Sequence, residues 1–72
     1  MVNFLIVNNA KLPYQLIGKV IDDYLNNYEE DTFYAGKTEI IVIDYQERVY
    51  SITIRYLKRY IEFRFMNYLE EE

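Results

Sequence analysis

The sequence predicts a single small α+β domain of β-α-β-β-β order, with one amphipathic helix packed on one face of a mainly antiparallel four-stranded sheet. Three observations lead there. Residues 14–28 repeat their apolar side chains with a helical period, three later segments alternate with a strand period, and 72 residues leave room for one core.

The opening Val2-Asn3-Phe4-Leu5-Ile6-Val7 is short, β-branched and aromatic, and it stops at Asn8-Asn9, so it reads as a strand and a turn. From Tyr14 to Tyr28 the period changes. Tyr14, Leu16, Ile17, Val20, Ile21, Tyr24, Leu25 and Tyr28 share half of a helical wheel. Gln15, Lys19, Asp22, Asp23, Asn26, Glu29 and Glu30 share the other half. Pro13 suits the first turn, where a missing N–H costs nothing. Gly18 sits toward the polar side and weakens the helix by up to about 1 kcal/mol relative to alanine.

Ala35-Gly36-Lys37 marks a turn, and strands are expected over Glu39–Tyr45, Val49–Tyr56 and Tyr60–Tyr68. Register supports the last pair. With Lys58-Arg59 at the hairpin tip, Tyr56 meets Ile61, Ile54 meets Phe63 and Ile52 meets Phe65 on one face. On the reverse face Arg55 meets Glu62 and Thr53 meets Arg64. The tip lacks the glycine or asparagine of a tight primed turn, and a four-residue loop keeps the same parity. The earlier strand joins if Tyr45 faces Tyr50, which brings Ile43 to Ile52 and Ile41 to Ile54. A helix over the last segment is the rival reading, but it sets Arg64 among apolar side chains and Phe63 among polar ones.

Composition removes most chemistry. There is no cysteine and no histidine, hence no disulfide, no thiolate or imidazole metal ligand and no ordinary proton shuttle. Ser51 is the only serine, and with glycine only at 18 and 36 no glycine-rich phosphate loop exists. The carboxylate pairs Asp22-Asp23 and Glu29-Glu30-Asp31 lie on adjacent helical positions about 100° apart, so they do not converge, and the run lacks calcium-loop spacing. No catalytic residue, metal or cofactor is expected. The longest apolar runs, residues 4–7 and 40–43, fall far short of the roughly 20 residues a membrane span needs, and no basic segment leads into an apolar stretch. A soluble, cytoplasmic protein is expected.

A small core without staples rarely supplies more than about 3–5 kcal/mol, which leaves aromatic packing and oligomerisation as supports. Nine tyrosines and four phenylalanines serve the first, and some tyrosines must lie half wet at the surface. The net charge of −4 arises wholly within residues 1–46, where Lys11, Lys19 and Lys37 face seven acidic side chains. Glu29-Glu30-Asp31 stands at the helix C-terminus, where the macrodipole disfavours negative charge by roughly 0.3–1 kcal/mol per group. One helix covers one sheet face. The other is left bare, carrying Ser51, Thr53, Arg55, Tyr60, Glu62, Arg64, Met66 and Tyr68 with Ile40 and Val42.

These features favour a non-enzymatic protein-binding module that captures a partner with a basic surface and self-associates as a dimer. A dimer formed sheet to sheet, or a docked partner, would account for the bare face. The chain is similar in size and acidity to small inhibitors encoded by phages and mobile elements, a likeness of composition alone. Asp22, Asp23, Glu29, Glu30 and Asp31 are the expected electrostatic contacts, and Arg55, Tyr60, Arg64 and Tyr68 the contacts on the sheet. One alternative is single-stranded nucleic-acid binding on the open face by Arg55, Lys58, Arg59 and Arg64 with Tyr56, Tyr60 and Tyr68, which the net charge opposes. The other is a structural homo-oligomer subunit.

Overall fold

A computed structural model of the chain describes residues 3–27 and 35–68. Among them the order is β1 (Asn3–Asn8), α1 (Tyr14–Asn26), β2 (Thr38–Tyr45), β3 (Arg48–Tyr56) and β4 (Tyr60–Asn67). The strands form one sheet in the order β1-β4-β3-β2. β2, β3 and β4 make an antiparallel meander, while β1 lies parallel to β4. The chain thus starts at one edge of the sheet, passes through α1 to the other edge and folds back. This is the expected α+β domain.

The helix begins one residue later than its proline. Pro13 occupies the capping position in extended geometry, and its carbonyl accepts the Ile17 N–H at 3.1 Å. Its C-terminal cap is Asn27, short of the expected Tyr28, which lies outside the described residues, as does Val2 at the head of the first strand. Asn8, expected in a turn, closes β1 and ties down the segment after it. Its side chain donates to the Leu12 carbonyl at 2.9 Å and accepts the Leu12 N–H at 3.0 Å. Ile17 and Ile21 then enter a core with Leu12, Tyr50, Ile52, Ile54, Tyr56, Ile61, Phe63 and Phe65.

The β3–β4 register is the expected one, with Ile54 beside Phe63 and Arg55 beside Glu62. The β2–β3 register differs by two residues. Tyr45 faces Arg48 in place of Tyr50, Ile43 faces Tyr50 in place of Ile52, and Ile41 faces Ile52 in place of Ile54. The cause is a two-residue turn at Gln46-Glu47, both in left-handed geometry (φ 51° and 66°). The tighter turn adds ladder pairs and keeps every side chain on its face, so the gain in pairing outweighs the strain of two non-glycine residues. Glu47 is exposed, so Glu47→Gly relieves strain without losing a buried contact. The variant is expected to gain about 1 kcal/mol in urea denaturation.

Candidate functional site on the uncovered sheet face

Alternation along the strands builds two unlike faces. Ile41, Ile43, Ile52, Ile54, Ile61, Phe63 and Phe65 turn toward α1. The reverse face consists of cross-strand rows. Thr38, Arg55, Glu62 and Leu5 form one, Ile40, Thr53, Arg64 and Val7 the next, and Val42, Ser51 and Met66 the third.

At its centre Glu62 is 5% exposed although α1 lies on the opposite face of the sheet. Its neighbours explain this. Arg55 Nη1 reaches Oε1 at 3.5 Å, Arg64 Nη2 reaches Oε2 at 3.2 Å, and Leu5 stands beside it on β1. The two guanidiniums, each about a third to a half exposed, roof the carboxylate and pair with it at the same time. The Arg55–Glu62 pair follows from the cross-strand register. Arg64 also reaches Glu62 because residues two apart on one strand share a face, a signal present in Glu62-Phe63-Arg64 that pairing arguments alone miss. On the same face Leu5, Val49, Val42 (51% exposed) and Ile40 (66% exposed) are open to solvent among the polar Thr38, Ser51 and Thr53.

The structure brings Arg55, Tyr60 and Arg64 together on this face. Tyr68 is exposed beyond the far end of β4, about 26 Å of strand away from Tyr60. Asp22 and Asp23 are exposed on the helical layer, and Asp23 Oδ2 pairs with Lys19 Nζ at 3.2 Å. Glu29, Glu30 and Asp31 lie outside the described residues. Tyr56, grouped above with residues that could stack bases, is corrected to the core. It is buried on the helical face because its register partner is Ile61.

A polar cluster between α1 and the sheet was not foreseen. The Tyr24 hydroxyl donates to Glu39 Oε1 at 2.6 Å, and the Tyr56 hydroxyl contacts the Tyr24 hydroxyl. Lys37 Nζ pairs with Glu39 Oε2 at 3.2 Å and lies 5.3 Å from the centre of the Tyr56 ring. Burial, then the Glu39 hydrogen bond, push the Tyr24 hydroxyl well above the usual phenol range. The Tyr24 hydrogen bond, with Lys37 assisting, holds the Glu39 carboxyl below its ordinary value against the opposing effect of burial. Beside this cluster a groove of about 250 Å³ runs between α1 and β2, walled by Val20, Tyr24, Ile41 and Ile43 with Asp23 and Asn27 at its rim.

Among the described residues, no group of three or more carboxylates is placed to hold a metal ion, and no helix is long and apolar enough to cross a membrane. No protein-family model, curated protein or solved structure matches this chain.

Proposed function

We propose that the protein is a non-enzymatic protein-binding module that presents its uncovered sheet face to a larger protein. One observation carries this reading: Leu5, Ile40, Val42 and Val49, from three different strands, are exposed on the same face as the Arg55–Glu62–Arg64 bridge. The solvated face of an antiparallel sheet is ordinarily polar, whereas an apolar face with a charged centre suits a surface that a partner covers. Glu62 neutralises one of its two arginines, so the complementary surface is apolar with an acidic group facing that bridge.

A second reading draws on Asp22 and Asp23, both exposed on the opposite layer. There an acidic helix blocks the basic groove of a partner by imitating the charge of nucleic acid, as a small inhibitor would. The two readings separate in one experiment, affinity capture from a lysate followed by mass spectrometry. Ser51→Lys with Thr53→Glu alters the centre of the sheet face and is expected to lose the captured protein, while Asp22→Lys with Asp23→Lys retains it. The opposite pattern assigns binding to the helix, and capture that survives both pairs of substitutions rejects both readings.

A further inference from the structure

Among the described residues, β2 is an edge strand with little of the usual protection. Natural edges are blunted by lysine, proline, bulges or short length. β2 runs for eight residues and carries the uninterrupted Ile40-Ile41-Val42-Ile43, with its charged residues, Glu39 and Asp44, only toward its ends. Hydrogen-bonded pairs alternate along an antiparallel ladder, and the pair flanking a two-residue turn is a bonded one. Tyr45 and Arg48 flank the turn, and the Tyr56 N–H donates to the Lys37 carbonyl at 2.9 Å. The odd-numbered residues of β2 therefore bond to β3, and the main-chain groups of Thr38, Ile40, Val42 and Asp44 point outward from the sheet.

We propose that this edge pairs with its own copy: a second β2 adds antiparallel across a twofold axis at Ile41, joining two sheets into one of eight strands. The sequence of the edge selects this occupant. About that axis Ile40 meets the second copy's Val42, Ile41 meets its counterpart, Glu39 meets Ile43 and Thr38 meets Asp44. No like charges face each other, and the Thr38 hydroxyl stands opposite a carboxylate. Ile40 and Val42, two of the most exposed aliphatic side chains, come together as four on one face. On the other face Ile41 and Ile43 wall the groove beside α1, so the added strand finds apolar surface on both of its sides. Moving the axis to Val42 sets Asp44 against Ile40 on the open face, and moving it to Ile40 sets Thr38 against Val42, so both lose the Thr38–Asp44 pair. The Glu39 carboxylate, opposite Ile43 in the proposed register, keeps its Tyr24 and Lys37 partners. Phe4, Leu5 and Ile6 of β1 are also exposed, but that strand has only six residues against the eight of β2. The dimer does not rest on the docking role proposed above: it takes Ile40 and Val42 at the sheet edge and leaves Leu5, Val49 and the Arg55–Glu62–Arg64 bridge free.

Sedimentation equilibrium over about 5 to 500 μM, the range of moderately weak complexes, tests the pairing. The wild-type chain is expected to reach a dimer. Val42→Pro removes an outward N–H without touching the β3 ladder and is expected to raise the dissociation constant about 100-fold. Ile40→Lys does the same by placing charge at the seam, and Leu5→Lys on β1 leaves the dimer intact. Circular dichroism checks that each variant is folded, and hydrogen exchange shows the Ile40 and Val42 amides protected at high concentration only. A wild-type chain that stays monomeric throughout overturns the proposal, as does a dimer that survives Ile40→Lys or is abolished by Leu5→Lys. Recovery of protection at these amides only on addition of a foreign peptide overturns it as well.

Discussion

Phe63→Ala is expected to cost about 3–5 kcal/mol, close to the whole stability of a domain this small. Phe63 is 0% exposed and sits on β4 where β1, β3 and α1 meet. It faces Ile54 on β3 and Ile6 on β1, and its ring makes edge-on contacts with Phe4 at 5.9 Å and Tyr24 at 5.8 Å. Truncation to alanine removes contacts to both neighbouring strands and to the helix at once. The hole sits in a sheet whose registers are fixed on two sides, so little collapse can fill it. Phe63→Leu keeps most of the apolar volume and is expected to remain folded, with a loss of about 1–2 kcal/mol. Urea denaturation followed by circular dichroism measures both. An alanine variant within about 0.5 kcal/mol of the wild type would show that the helix and β1 dock independently of this ring.

The same residue shows why much of this fold is legible from sequence. Ile61, Phe63 and Phe65 alternate against Glu62 and Arg64, and a slip of one residue would turn all three apolar side chains to solvent. Such a slip is the error that alternation forbids, and β3–β4 has the expected register. A slip of two residues keeps every side chain on its face, so alternation has no power against it. The β2–β3 register turned on Gln46-Glu47 accepting left-handed geometry, which neither side chain advertises. The parallel placement of β1 beside β4 was hidden for a related reason: its apolar residues fit either edge of the sheet, and only the path through α1 selects between them. At the candidate site the Arg55–Glu62 contact is a cross-strand neighbour and could be derived. The meeting of Tyr24, Glu39 and Tyr56 depends on how the helix lies across the sheet, which is set by the packing of Ile17 and Ile21 rather than by local pattern.

That cluster makes stability depend on pH in a way that can be traced to one hydroxyl. Glu39 is held below its ordinary value mainly by the Tyr24 hydrogen bond, so it contributes stability above about pH 4.5 that is lost as pH falls through its folded value. Tyr24 has the opposite sign. Its raised value contributes stability below about pH 10 that is lost as pH rises further. Tyr24→Phe deprives Glu39 of its donor and the Tyr56 hydroxyl of its acceptor, and is expected to cost about 1–3 kcal/mol at neutral pH. On acidification the ranking changes. As pH falls from about 5 through the folded value of Glu39, the wild type loses the contribution that the Tyr24 hydrogen bond makes, which the variant has already forfeited, so the two stabilities converge. Glu39→Gln, which has no carboxyl to titrate, follows the flatter course as well. Urea midpoints for the three proteins across that interval decide the matter, because the other carboxylates are common to all and cancel in the differences. Parallel curves for the wild type and Tyr24→Phe would mean that the hydroxyl does not hold the carboxylate in solution. The Tyr24 wall of the α1–β2 groove would then be held by its ring packing against Phe63.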